Sequence, residues 1–174
     1  LLFTSFNYLK RLFLQIFEKP FTEFILILLI GYIFLTIAES LSVVALLKVD
    51  SSIITFIKKS STNQKMIMSV YNSNLKIWMW FIVSIIGPVM EETFFRVIFW
   101  NSIKKRTNNL IAYIITSIFF GLLHTFTTMI QGDVYHSILL TVPYTVAGLI
   151  FGYYRFQEDS TSPGLWMHII SNFM

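Results

Sequence analysis

Four stretches of this chain are long and almost wholly apolar: 21–38 (FTEFILILLIGYIFLTIA), 77–100 (IWMWFIVSIIGPVMEETFFRVIFW), 110–130 (LIAYIITSIFFGLLHTFTTMI) and 137–154 (SILLTVPYTVAGLIFGYY). At about 1.5 Å per residue, each is long enough to cross a roughly 30 Å hydrocarbon core. A backbone in lipid must satisfy its own hydrogen bonds, so such runs are read as helices. The expected fold is an all-α, polytopic transmembrane bundle of about 4–6 membrane helices around an intramembrane polar site. Composition agrees: charged residues are 13% of the chain, where soluble domains average about a quarter, and mean hydropathy is +0.69.

The remaining segments fit around these spans as a single membrane domain, 1–174. Residues 1–19 form a basic amphipathic stretch, read as a surface-lying helix, since no small-residue cleavage site follows an apolar core. Segment 41–76 carries Lys48 and Asp50 and then turns polar, which reads as an interfacial or partly re-entrant connection. A fifth element begins after Pro163-Gly164 and stops at Met174 before it could cross; with Leu1 in place of an initiating Met, the chain is expected to be part of a longer protein. Residues 1–76 thus supply the surface helix, first span and connection, and 77–174 the core that carries the chemistry. An inside N-terminus gathers Lys10, Arg11, Lys19, Lys104, Lys105, Arg106 and Arg155 on the cytoplasmic face against Lys48, Lys58, Lys59, Lys65 and Lys76 outside. The net charge of +4 orients loops; no basic stripe points to nucleic acid. The absence of cysteine removes disulfides, thiolate nucleophiles and iron–sulfur chemistry.

Of the nine acids, only Glu91 and Glu92 lie well inside these spans, with Arg96 beside them. Each would cost about 2.5–3.5 kcal/mol unpaired at membrane depth, so roughly 7–10 kcal/mol has to be offset by partners or water. Glu92 and Arg96, four apart, can pair on one helix face. Glu91 is left about 100° round the helix. Pro88 cannot donate to the Ser84 carbonyl and, beside Gly87, loosens the helix where water could reach Glu91, a candidate general base. The plain alternative is a structural polar knot between helices.

His124 lies deep in the third span. His168 and Asn172, four apart in the last element, present two donors on one face, as an oxyanion site requires. His136 is assigned to the interface. Counting from helix ends puts Glu91 roughly 13 Å deep, Asn172 roughly 12 Å, His168 roughly 6 Å and His124 roughly 21 Å, compatible with one site in the cytoplasmic half. The sequence lacks a His-Glu-x-x-His motif, an aspartate in a strong span, a serine elbow and a glycine-rich phosphate loop, leaving activated water as the expected nucleophile.

Glu91-Glu92-Thr93-Phe94-Phe95-Arg96, Phe120-Gly121-Leu122-Leu123-His124 and His168-Ile169-Ile170-Ser171-Asn172, in this order on three apolar segments, resemble the three motifs of the CPBP intramembrane protease family, also called Abi or type II CAAX prenyl endopeptidase-like. The resemblance covers about 77–174. It implies glutamate-dependent peptide hydrolysis within the membrane: Glu91 with His124 activating water, His168 with Asn172 forming the oxyanion site, and Glu92, Arg96 and Phe120 in support. It also implies a peptide or protein substrate, such as a CAAX protein, pheromone, leader or bacteriocin-related peptide, and no obligatory cofactor. Two rivals use the same residues: a divalent-metal-dependent protease with Glu91 and the histidines as ligands, and a non-catalytic membrane scaffold or bacteriocin self-immunity protein. The expected setting is a bacterial cell membrane, with the lipid bilayer as partner and no nucleic acid.

Overall fold

A computed structural model describes residues 14–60 and 76–173. Most of the surface helix expected over 1–19, and the polar part of the connection including Lys65, lie outside the described residues. Within them the chain is helical, with no strand. Three helices are long and apolar enough to cross a membrane, Phe21–Val49, Asn109–Ile130 and Val134–Glu158, as expected for an all-α membrane bundle.

After a short 3-10 turn at Gln15–Glu18, α1 runs unbroken over Phe21–Val49. The expected boundary at residue 38 is therefore corrected: 41–49 belongs to the same helix. Glu39 does not end it, because an acid on the inward face of a bundle need not meet lipid. Only Leu28, Leu35 and Leu46 are buried, while residues such as Ile30 and Phe34 stand 60% or more exposed, as befits a helix bathed in hydrocarbon. Asp50 stops α1 in an extended conformation, and its carboxylate accepts from the Ser52 amide at 2.8 Å and from the Ser52 hydroxyl at 2.6 Å. Helix α2 (Ile53–Ser60) buries Ile53 and Phe56; the Phe56 ring stacks on His136 with centroids 4.9 Å apart.

The second apolar run forms α3, residues 76–104, and is not one regular helix. α-Helical turns at Lys76–Phe81, Gly87–Glu92 and Trp100–Lys104 alternate with π-helical turns at Ile82–Ile86 and Thr93–Phe99. The first π turn abuts Gly87-Pro88, where the missing proline N–H already breaks the ladder. The carbonyl of Val83 is satisfied from another helix, by the Asn172 side chain.

α4 (Asn109–Ile130) and α5 (Val134–Glu158) make the most extensive helix pair. Asn108 and Asp133 cap their N-termini through side-chain oxygens that accept from Ile111 N and His136 N. The turn between them needs Gly132, at φ +103°. Close approach is set by small residues: a Cβ at Gly121 would strike the Thr145 side chain and the Thr141 carbonyl. α5 ends at Asp159 in the left-handed region, and α6 (Ser162–Phe173) turns back into the bundle with Gly164 flush against the Phe151 backbone. Leu28, Leu35, Phe95, Phe120, Ala147, Phe151 and Met167 form the apolar core from which α3, α4 and α6 project their polar groups.

Candidate active site

The pair foreseen on α3 is present and sealed. Arg96 Nε donates to Glu92 Oε2 at 3.2 Å, and neither residue is exposed at all. The guanidinium reaches two further helices: Nη1 donates to Thr116 Oγ1 at 3.2 Å, Nη2 to the Gly148 carbonyl at 2.7 Å, and its central carbon sits 5.6 Å from the centre of the Phe120 ring. Thr116 and Gly148 were not evident in the sequence, because which groups on α4 and α5 meet Arg96 depends on the packing register of separate helices. Glu92 accepts a further hydrogen bond from His168 Nδ1 through its other oxygen, at 3.3 Å. A buried ion pair of this kind holds only when such additional donors are in place.

His124 and His168 converge on Glu91. The Nε2 atom of each lies 3.7 Å from the same oxygen, Glu91 Oε2. That oxygen is buried and has no hydrogen-bond partner among the described residues, although the Glu91 side chain as a whole is 30% exposed. Both histidines thus reach one oxygen, although counting along their helices gave them depths of roughly 6 and 21 Å.

Both rings are oriented by their other nitrogen and by aromatic walls. His124 Nδ1 lies 2.9 Å from the Phe120 carbonyl, which can only accept, so Nδ1 carries the proton and Nε2 offers a lone pair in the neutral ring. The His124 ring stacks on Tyr144 at 4.9 Å and leans on Phe120 at 4.4 Å. His168, nearly buried, stacks on Phe151 at 4.4 Å and meets the edge of Phe120 at 5.6 Å. Phe120 thus touches Arg96 and both histidines.

Asn172 departs from the expected picture. Its side-chain amide donates to the Val83 carbonyl at 3.2 Å, and its own backbone carbonyl accepts from Ser84 Oγ at 3.2 Å. The expected pairing of His168 and Asn172 on one oxyanion is therefore only half available: one amide proton is committed to the carbonyl that the π turn before Pro88 leaves open, and the second is left to donate. His136 lies outside this cluster, with Nδ1 2.9 Å from Asp133 and Nε2 2.8 Å from Ser52 Oγ.

As placed, no three His, Cys, Asp or Glu side chains among the described residues form a group arranged to hold an ion. His168 is instead shared between two carboxylates. An apolar groove of about 540 Å³ runs along α1 from Glu23 to Ala38 against Val146 and Ile150 of α5, and is lined by none of the three.

The family model for type II CAAX prenyl endopeptidase Rce1-like proteins matches residues 73–174. A curated relative, "Putative membrane peptidase YdiL" of Bacillus subtilis (strain 168), is 29% identical over 89 residues, which make up 51% of this chain and 32% of that protein. The match spans about a third of the relative's length. No solved structure matches the chain.

Proposed function

The chain belongs to the Rce1-like type II CAAX prenyl endopeptidase family, and from that premise we propose that it is an intramembrane endopeptidase of the glutamate type, acting on a peptide or protein substrate in a bacterial cell membrane. The observation that carries this reading is Glu91 Oε2, a buried carboxylate oxygen without a protein hydrogen bond, facing two imidazole Nε2 atoms at 3.7 Å. Two acceptors at that distance suit a water molecule between them, since a water can donate one hydrogen to each.

In the proposed reaction Glu91 takes a proton from this water while its oxygen attacks the scissile carbonyl carbon. His124, fixed by the Phe120 carbonyl, orients the water. The negative charge that develops on the carbonyl oxygen is met by the free Asn172 amide proton and by His168 when its ring carries both protons. Collapse of the intermediate breaks the C–N bond, and the proton held by Glu91 passes to the leaving nitrogen, giving a carboxylic acid and an amine and restoring the Glu91 carboxylate. Glu92 and Arg96 hold His168 and the α3 backbone in place. No step uses a metal, so chelation is expected to leave turnover unchanged.

The test compares protein and peptide termini in membranes that contain the parent chain, Glu91→Gln or His124→Ala at matched abundance. New termini seen only with the parent support hydrolysis. Identical termini in all three, with a biological effect retained in both variants, would sink it in favour of a scaffold.

A further inference from the structure

The cations at one end of the bundle are sorted by helix. Arg155 Nη2 donates to Asn101 Oδ1 at 3.0 Å and Asn109 Nδ2 to the Phe156 carbonyl at 3.0 Å, so α3 and α5 finish, and α4 starts, at the same end. On the α1–α5 side each cation has its acid: Lys19 lies 2.7 Å from Glu23 and 3.7 Å from Glu158, and Arg155 pairs with Asp159. On the α3–α4 side, Lys104, Lys105 and Arg106 follow one another, all exposed, and no acid among the described residues lies within ion-pair distance of them.

Shape and position say what these charges meet. Lys105 and Arg106 line a recess of about 540 Å³ together with Ser102, Ile103 and Thr107. The Ser102 and Thr107 hydroxyls donate to the Ile98 and Ile103 carbonyls, each at 2.8 Å, so the two cations are the donors left to a ligand there. The turn leads directly into α4, whose N-terminal end adds positive potential. Ile98 of α3 and Leu110 of α4, which flank it, are more than half exposed, on the surface suited to hydrocarbon. The basic turn therefore stands where that surface ends, at the level of the lipid headgroups, and the anion present at that level is a lipid phosphate. We infer that the α3–α4 turn binds the headgroup of an anionic phospholipid, with Lys105 and Arg106 on the phosphate, Lys104 beside them and Ile103 under the glycerol portion. A headgroup held there tethers the end of the helix that carries Glu91 and Glu92.

The experiment titrates the chain, in an uncharged detergent, with phosphatidylglycerol or with phosphatidylcholine of the same acyl chains, and counts bound lipid by native mass spectrometry. The parent is expected to prefer phosphatidylglycerol, and to prefer it less as salt is raised. At about fivefold in affinity for each basic residue near an anionic headgroup, the double variant Lys105→Gln, Arg106→Gln should lower that preference by about 25-fold. The double variant Lys48→Gln, Lys76→Gln removes the same charge from the other end of the bundle, at the end of α1 and the start of α3, and should leave the preference unchanged. Equal binding of the two lipids by the parent, or an equal loss in both double variants, overturns the inference. Displacement of the lipid by an equal concentration of inorganic phosphate overturns it as well, since the site would then serve the free anion. Binding is read without any hydrolysis, so each outcome leaves the endopeptidase reading where it stands.

Discussion

Replacing Arg96 with methionine removes four interactions at once: the pair with Glu92, the donations to Thr116 and to the Gly148 carbonyl, and the cation over Phe120. The size of the effect follows from what is left behind. Glu92, with no exposed surface, loses its charged partner, a change that typically costs about 3–5 kcal/mol. His168 Nδ1 still donates to it, which favours the lower part of that range. The Gly148 carbonyl keeps its place in the α5 hydrogen-bond ladder and the Thr116 hydroxyl keeps its bond to the Tyr113 carbonyl, so neither is left unpaired. The cost is then about 3 kcal/mol, or a fall of roughly 6–12 °C in Tm for a chain of this size. Thermal unfolding in detergent, read as loss of monodisperse protein on gel filtration, measures it. The double variant Glu92→Gln, Arg96→Met should recover much of the loss, because no charge is then stranded. A fall below about 2 °C for Arg96→Met, or a double variant no better than the single one, would refute the view that stranding Glu92 is the main cost.

Three further outcomes follow from particular contacts. Gly164→Ala forces a Cβ into the Phe151 backbone carbonyl and should destabilise by about 1–3 kcal/mol, against a much smaller change for Gly87→Ala, whose Cβ would meet only the Ile82 carbonyl at 3.5 Å; Tm values of the two variants decide it. Asn172→Ala should lower turnover by about 10²–10³ if the free amide proton serves the oxyanion, while Asn172→Asp, which cannot donate to the Val83 carbonyl, should also loosen the α3–α6 contact; rates of terminus formation and Tm separate the two effects. The Ser52 hydroxyl and amide hold the Asp50 carboxyl below its ordinary 3.8, so the unfolded chain binds that proton more tightly. This contribution is complete above that value and lost as pH falls through the lower folded one, so Asp50→Asn should flatten the Tm profile below about pH 4. An unchanged profile would show the contact to be without effect.

The part of this molecule legible in the sequence is the part where membrane energetics leaves little choice. An ionisable group in a long apolar run needs a partner, and the i, i+4 spacing of Glu92 and Arg96 names the partner before any tertiary structure is considered. The same reasoning singled out Glu91, His124 and His168, and their helices bring them together. Glu39 escaped it for a definable reason. Read by composition, Glu39-Ser40 looks like the end of a span, and only the uninterrupted helix to Val49 shows that the acid lies on the buried stripe with Leu35 and Leu46. The partners on other helices, Thr116, Gly148 and Tyr144, were illegible because inter-helix register is not written in any local pattern.

Pro88 shows where local and tertiary information meet. From sequence it predicts a weakened helix that admits water near Glu91. In the fold, the π turn that precedes it opens the Val83 carbonyl, which takes the Asn172 amide, while the Ser84 hydroxyl bonds to the Asn172 carbonyl. The defect in α3 is thus what docks the C-terminal half of α6, four residues beyond the histidine shared by Glu91 and Glu92. A regular α3 would close the Val83 carbonyl and leave the Asn172 amide without that partner. In this reading the missing proline N–H does more than loosen a helix: it sets the position from which Asn172 can offer its second proton, and so ties a backbone irregularity on one helix to the proposed chemistry on another.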